Sequence, residues 1–234
     1  MELLAYSLND NPFGKCGVKV LNLSRNKIMK EGAKTLAQAI ENNQSLEVLD
    51  LSQCDLGVSG TQVIAQALTK NTTLRHINLY RNKVDVDGAR ALRDMLKVNK
   101  TLEFLDVGYN RLREKGIIAL TDGIISNPES NIRHLGIRFN FIRDDGFAYL
   151  FDNTIFSPGK SKIVNIYCLQ NYLTEHYTLQ LGAKVEQLGA KIYVDAFEKL
   201  QYLSQERLDR SIWISPLTSG QVQGGVEQIW KFFQ

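Results

Sequence analysis

Two histidines, His76 and His134, stand in matching strings, RHINL and RHLGI. Paired imidazoles can hold a metal or relay a proton. Here a repeat explains the match better, because two whole repeat units separate them, so they read as ordinary surface histidines. The acidic pairs Asp85–Asp87 and Asp144–Asp145 could serve metal binding or acid–base work. Each precedes a helix-like run, where a carboxylate interacts favourably with the helix dipole, and that role suffices. Cys16, Cys54 and Cys168 form no CxxC pair and no metal-ligand spacing. They fall in loop, turn and strand positions with no case for a nucleophile. No GxxxxGK[ST] phosphate loop and no GxSxG elbow occurs. The chemistry-bearing residues therefore point to no catalytic residue, no metal and no cofactor.

Composition agrees with a folded, non-fibrous chain: 234 residues, 44% hydrophobic and 23% charged, with 17 Gly and 4 Pro. The formal net charge of +3 is small and no Lys/Arg block exists, which argues against nucleic acid. No apolar run approaches the roughly 20 residues a membrane span needs. The N-terminus MELLAYSLNDN is a poor signal peptide, and three scattered Cys suit a reducing compartment. Together these lead to an expectation of a cytoplasmic protein. NLS (22–24), NQS (43–45), NTT (71–73) and NKT (99–101) match the glycosylation acceptor pattern, and without export they read as chance matches.

The elements that position these residues repeat. LNLSRNKIMKEG (21–32), INLYRNKVDVDG (77–88), LDVGYNRLREKG (105–116) and LGIRFNFIRDDG (135–146) are copies of one string, and LDLSQCDLGVSG (49–60) has Cys54 in place of Asn. Copies begin at Val18, Leu46, Leu74, Leu102, Ile132 and Ile163, with offsets of 28, 28, 28, 30 and 31. Each reads LxxLxLxx(N/C)x(L/I/V). Period-two alternation of the second and third apolar positions predicts a short strand with one buried face. The Asn follows, and its amide can pair with backbone groups that the turning chain leaves open, since it offers both donor and acceptor. Asn110 is thus structural, and Cys54 is a weaker substitute. A Gly then precedes helix-spaced apolar residues: Ala33, Leu36, Ala37 and Ile40 in one copy, Leu92, Met95 and Leu96 in another. Helices close at ENNQS, KNTT, VNKT and SNPES. No unit can bury its apolar side alone, so the units must stack.

This pattern resembles the leucine-rich repeat family, in its ribonuclease-inhibitor-like class of long, helix-containing repeats, over roughly residues 3 to 195. The resemblance implies an α/β solenoid, a horseshoe with a concave parallel sheet and convex helices. It implies no particular function, because the fold serves many partners. GTPase-activating proteins for the nuclear-transport GTPase share the repeat class, but that family carries an acidic C-terminal tail and QVQGGVEQIWKFFQ is nearly neutral.

The expected organisation is repeats over 1–195, a C-terminal cap over 196–218, and a linker with an amphipathic tail over 219–234. Leu3, Tyr6, Leu8, Asn11 and Phe13 match the strand template, but only 15 residues separate Leu3 from Val18, so this first copy is read as a strand without a helix. AFEKLQYLSQERL reads as a capping helix begun by Asp195. In the tail, Val226, Ile229, Trp230 and Phe233 share one helical face.

Between the structural Leu positions, alternation aims side chains at the concave surface. The column before the Asn reads Arg25, Gln53, Arg81, Tyr109, Phe139 and Gln170, and neighbouring columns add Tyr80, Arg138 and Tyr167. Aromatic rings and Arg are enriched at binding hot spots. The expectation is a non-enzymatic intracellular scaffold that binds protein through Tyr80, Arg81, Tyr109, Arg138, Phe139 and Tyr167, and through Trp230 and Phe233 of the tail. Its unsealed ends favour a structural subunit of a larger assembly, ciliary or cytoskeletal. A freestanding binding module is the alternative, and a nuclear-transport GTPase activator is a weaker one.

Overall fold

In the computed structural model, the structure describes Leu8, residues 17–187 and residues 193–194. Seven strands, β1 (Val20–Asn22), β2 (Val48–Asp50), β3 (His76–Asn78), β4 (Phe104–Asp106), β5 (His134–Gly136), β6 (Asn165–Tyr167) and β7 (Tyr193–Val194), form one parallel sheet in sequence order. Six helices intervene: α1 (Met29–Asn42), α2 (Gly57–Leu68), α3 (Asp85–Leu96), α4 (Arg113–Ile125), α5 (Asp144–Thr154) and α6 (Glu175–Gln187). Pairing is in repeat register, Leu49 against Ile77 and Leu105 against Leu135. The chain is a solenoid, with the sheet on its inner side and the helices outside.

The core is the set of repeat leucines. Leu49, Leu51, Ile77, Leu79, Leu105, Leu135 and Ile166 are completely enclosed, and the helices add Leu36, Leu92, Leu120 and Leu150. Glycine at the first helical turn lets neighbouring helices approach. A methyl group at Gly146 would meet the Ile117 side chain at 3.0 Å, and one at Gly88 would meet that of Thr61 at 3.4 Å. Asp85 and Asp144 open their helices as expected, and Asp144 also accepts the Thr174 backbone N–H (2.9 Å) and hydroxyl (2.6 Å) from the next repeat.

Two buried asparagine ladders run along the solenoid. The expected one is formed by Asn82, Asn110, Asn140 and Asn171. Asn110 Oδ1 accepts the backbone N–H of Asn82 (2.8 Å) and Val84 (3.2 Å), while its amide donates to Leu79 O (2.8 Å) and Gly108 O (3.0 Å). The second is at the opposite edge, where Asn71, Asn99 and Asn127 donate to Ile40, Leu68 and Leu96, the last turns of the preceding helices. The amides of Asn43, Asn71 and Asn99 are buried and committed, so the triplets NQS, NTT and NKT leave no side chain for glycan attachment.

The N-terminal expectation needs correction at Leu8, which is helical and not extended. Its carbonyl accepts the Asn43 amide at 3.0 Å, the role Ile40 and Leu68 play one and two repeats on. Leu8 therefore takes the place of a preceding helix. The rest of the first copy, the cap and the tail lie outside the described residues.

Cys54 interrupts the first ladder. Its thiol donates to Leu23 O (3.1 Å), the bond an amide makes elsewhere, but it presents no amide oxygen to the chain at Asn26 and Ile28. Cys54→Asn is expected to raise stability by about 1 kcal/mol; a lower thermal midpoint would show that the site is too small for the amide.

Candidate partner-binding face

The strands are only three residues long, and this decides where the candidate residues stand. β5 ends at Gly136 without a side-chain oxygen. At the ends of β2, β3 and β4 such an oxygen turns the chain: Asp50 accepts the Ser52 N–H (2.7 Å), Asn78 that of Tyr80 (2.9 Å) and Asp106 that of Gly108 (2.7 Å). The next residue is left-handed, with φ of 55° at Arg81, 58° at Tyr109 and 55° at Phe139. Contrary to the expectation from the sequence, strand alternation therefore does not aim Tyr80, Arg81, Tyr109, Arg138 and Phe139. They stand in the turns that leave the sheet, along its C-terminal rim. Among the six expected repeat positions, Tyr167 alone lies in a strand.

On this rim the rings form a ladder. The Tyr80 and Tyr109 centroids are 5.9 Å apart and those of Tyr109 and Phe139 5.6 Å. The Arg81 guanidinium lies 5.2 Å from the Tyr109 ring centre, within cation–π range. Tyr80 is half-buried because it lies across Gly108, where a methyl group would come within 2.8 Å of the ring. A second ring pair, Phe141 and Tyr172 at 5.7 Å, continues the surface. Tyr109, Phe139, Phe141 and Tyr172 are 47%, 38%, 44% and 56% exposed, solvated rings carried on successive turns. The sequence reading missed Phe141 and Tyr172, which follow the ladder Asn by one residue. Their signal was the shared position in successive repeats. Tyr167 is buried beneath the Arg138 guanidinium, 5.2 Å from its ring centre, so it supports the face and offers little surface of its own. Trp230 and Phe233 lie outside the described residues.

The sheet floor inside the rim corrects the reading of the histidines. His76 and His134 flank Phe104, each at 6.2 Å between ring centres, and Tyr167 closes the group at 6.5 Å from Phe104. Phe104 is 1% exposed and the imidazoles are half-buried, so these are not surface histidines. Burial lowers the affinity of both for a proton, taking His134 to about 4, with neighbouring His76 adding to the effect. His134 Nδ1 and Asn165 Nδ2 are 2.9 Å apart, a neutral pairing in which the amide donates. Because the unfolded chain protonates His134 near 6.5 and the folded chain near 4, its contribution is intact above pH 6.5 and is lost as pH falls towards 4. Thermal midpoints measured from pH 7 to 4 should fall, and His134→Gln should flatten the slope; equal slopes in both proteins would contradict the burial.

Burial pushes the Cys54 thiol up to about 11, far from a thiolate nucleophile, and Cys168 is buried among the core residues. Among the described residues no group of three or more His, Cys, Asp and Glu could hold a metal ion, and no described helix is long and apolar enough to cross a membrane. The arrangement can bind through stacking, apolar contact and Arg hydrogen bonds.

A leucine-rich-repeat family model matches residues 16–37, 42–65, 70–92 and 98–120, each window spanning a strand and the start of its helix. Over those windows the chain carries leucine-rich repeats. Its repeats continue through β5 and β6 beyond those windows, with the Asn ladder intact at Asn140 and Asn171. The leucine-rich-repeat solenoid is also that of two solved structures. One is described as leiomodin-1 actin-binding site 2, with a TM-score of 0.52 and 21% identity, over 58% of this chain and 77% of that one. The other is the tropomodulin C-terminal domain of Caenorhabditis elegans, with a TM-score of 0.54 and 17% identity, over 64% and 89%. At such identities the likeness is one of fold. No curated protein sequence matches the chain.

Proposed function

We propose that this chain is a non-enzymatic scaffold that binds a protein partner along the Tyr80–Tyr109–Phe139 rim, as a subunit of a cytoskeletal assembly. The observation that carries the reading is the run of exposed rings with Arg81 and Arg138 beside them. Aromatic anchors bordered by guanidinium groups are the composition of binding hot spots. The fold likeness to leiomodin-1 actin-binding site 2 makes actin the first partner to try. The tail stripe of Val226, Ile229, Trp230 and Phe233 is a second contact in this reading, with spacing suited to a helix in a groove.

The test is binding of the full chain to monomeric and filamentous actin, with Tyr109→Ala, Arg138→Glu and a chain lacking residues 219–234 alongside. Each point variant is expected to cost about 2 kcal/mol of affinity with the thermal midpoint nearly unchanged, and loss of the tail to weaken binding further. No binding of either actin form removes actin. Unchanged affinity in both folded point variants, for whichever partner binds, removes the rim.

A further inference from the structure

We propose that this rim receives an acidic segment of the partner protein that also carries apolar side chains, its carboxylates read by Arg81, Arg111, Arg113 and Arg143. This deepens the function proposed above and rests on it.

Charge is the first support. Elsewhere on the solenoid, cations meet carboxylates of neighbouring repeats, as in Lys19–Glu47 (2.8 Å), Lys70–Glu41 (2.6 Å), Lys100–Glu129 (2.8 Å) and Arg75–Glu103. On the aromatic rim the acids are already committed. Asp55 pairs with Lys83 (2.6 Å), Glu114 accepts the Arg143 backbone N–H (3.3 Å), and Asp144 accepts from Thr174. Arg111, Arg113 and Arg143 are exposed and have no ion pair among the described residues, and Arg81 lies over the Tyr109 ring. Asp85, in the matching turn of the preceding repeat, accepts the Val86 N–H (2.6 Å). Four guanidinium groups thus share these turns with four exposed rings, and none of the four has an ion pair among the described residues. Arg is the side chain whose planar fork matches a carboxylate.

The backbone is the second support. Every described non-glycine residue with positive φ lies in these strand-to-helix turns, including Arg81, Tyr109, Arg111, Arg113, Phe139 and Phe141 at 53° to 60°. That conformation favours glycine and strains other residues. One of these places is held by Gly57, where an added methyl group would meet nothing within 4 Å, so glycine is compatible with the turn and a side chain there projects outward. Tyr, Phe and Arg at such places strain the backbone while remaining largely exposed. The same places are left-handed at Arg25, Gln53, Asp55, Lys83 and Gln170, so the conformation belongs to the repeat turn, and the rim differs in the Tyr, Phe and Arg side chains that the turn projects outward.

A protein segment fits better than a nucleic acid. The whole protein carries only +3, too little to hold a polyanion by charge alone, and the exposed rings beside the Arg side chains suit apolar side chains. A short acidic segment can lie along the outer turns and place its apolar side chains on the rings.

The experiment measures binding of the full chain to three labelled probes: a peptide interleaving Glu with Leu and Phe, the same peptide with Lys for Glu, and single-stranded oligothymidine. The acidic peptide should bind, weakening about tenfold between ~50 and ~500 mM salt. Joint Arg111→Glu and Arg113→Glu substitution should cost tenfold or more. Tyr109→Gly and Phe139→Gly should weaken binding without lowering the thermal midpoint, since glycine relieves the turn. The inference is overturned if the acidic peptide fails to bind at millimolar concentration, if the Lys peptide or oligothymidine binds as tightly, or if the charge-reversed variant binds unchanged. Partner binding that still depends on Tyr109, with no preference for acid, would leave the proposed function standing and remove this inference alone.

Discussion

Asn110→Ala is expected to destabilise the fold by about 3–5 kcal/mol while leaving the exposed rim chemically unaltered. Four hydrogen bonds end on this one side chain, which is completely buried between two repeats. Alanine leaves the N–H groups of Asn82 and Val84 and the carbonyls of Leu79 and Gly108 without that partner. Each orphaned buried group costs roughly 1–3 kcal/mol, less whatever a water can recover. The loss spreads, because Asn82 bonds onward to Cys54 N–H at 3.0 Å and Asn110 receives its own order from Asn140 at 2.9 Å. Denaturant unfolding of the full chain measures it. A loss below about 1 kcal/mol would mean that the ladder aligns the repeats without holding them.

Phe104→Ala should cost a similar amount, about 3–5 kcal/mol. Phe104 is the only aromatic ring that β4 contributes to the floor, and its ring spans His76, His134 and Tyr167. Removing it opens a void that the three-residue strands, held in register on both sides, cannot collapse to fill. The same change lets water reach the imidazoles, so proton NMR titration of the full chain should show His134 returning towards 6.5 from about 4. A stability loss without that return would place the burial of His134 on other neighbours. Together with the rim variants, this separates the stabilising role expected of the floor from the recognition proposed for the rim.

The sequence by itself determined the repeat, its strand–turn–helix order, the leucine core and the structural role of the ladder Asn. These follow from local rules: alternation and helical spacing assign buried faces, and a polar residue recurring at each turn inside an apolar pattern must find buried partners. Tertiary structure alone decided which solvent-side columns are covered. Nothing adjacent in sequence buries His76 and His134, so the pattern within one repeat leaves them exposed. They are covered by Phe104, 28 and 30 residues away in the chain but on the neighbouring strand of the sheet. Asn71 and Asn99 looked like turn residues for the same reason, since the carbonyls they satisfy belong to the preceding helix 31 residues back. Tyr109 and Phe139 were legible as candidates, but their place was not: β4 and β5 end after three residues, at Asp106 and Gly136, and this moves the rings from the sheet to its rim. A solenoid makes contacts at one repeat's separation, and a pattern read within one repeat does not contain them.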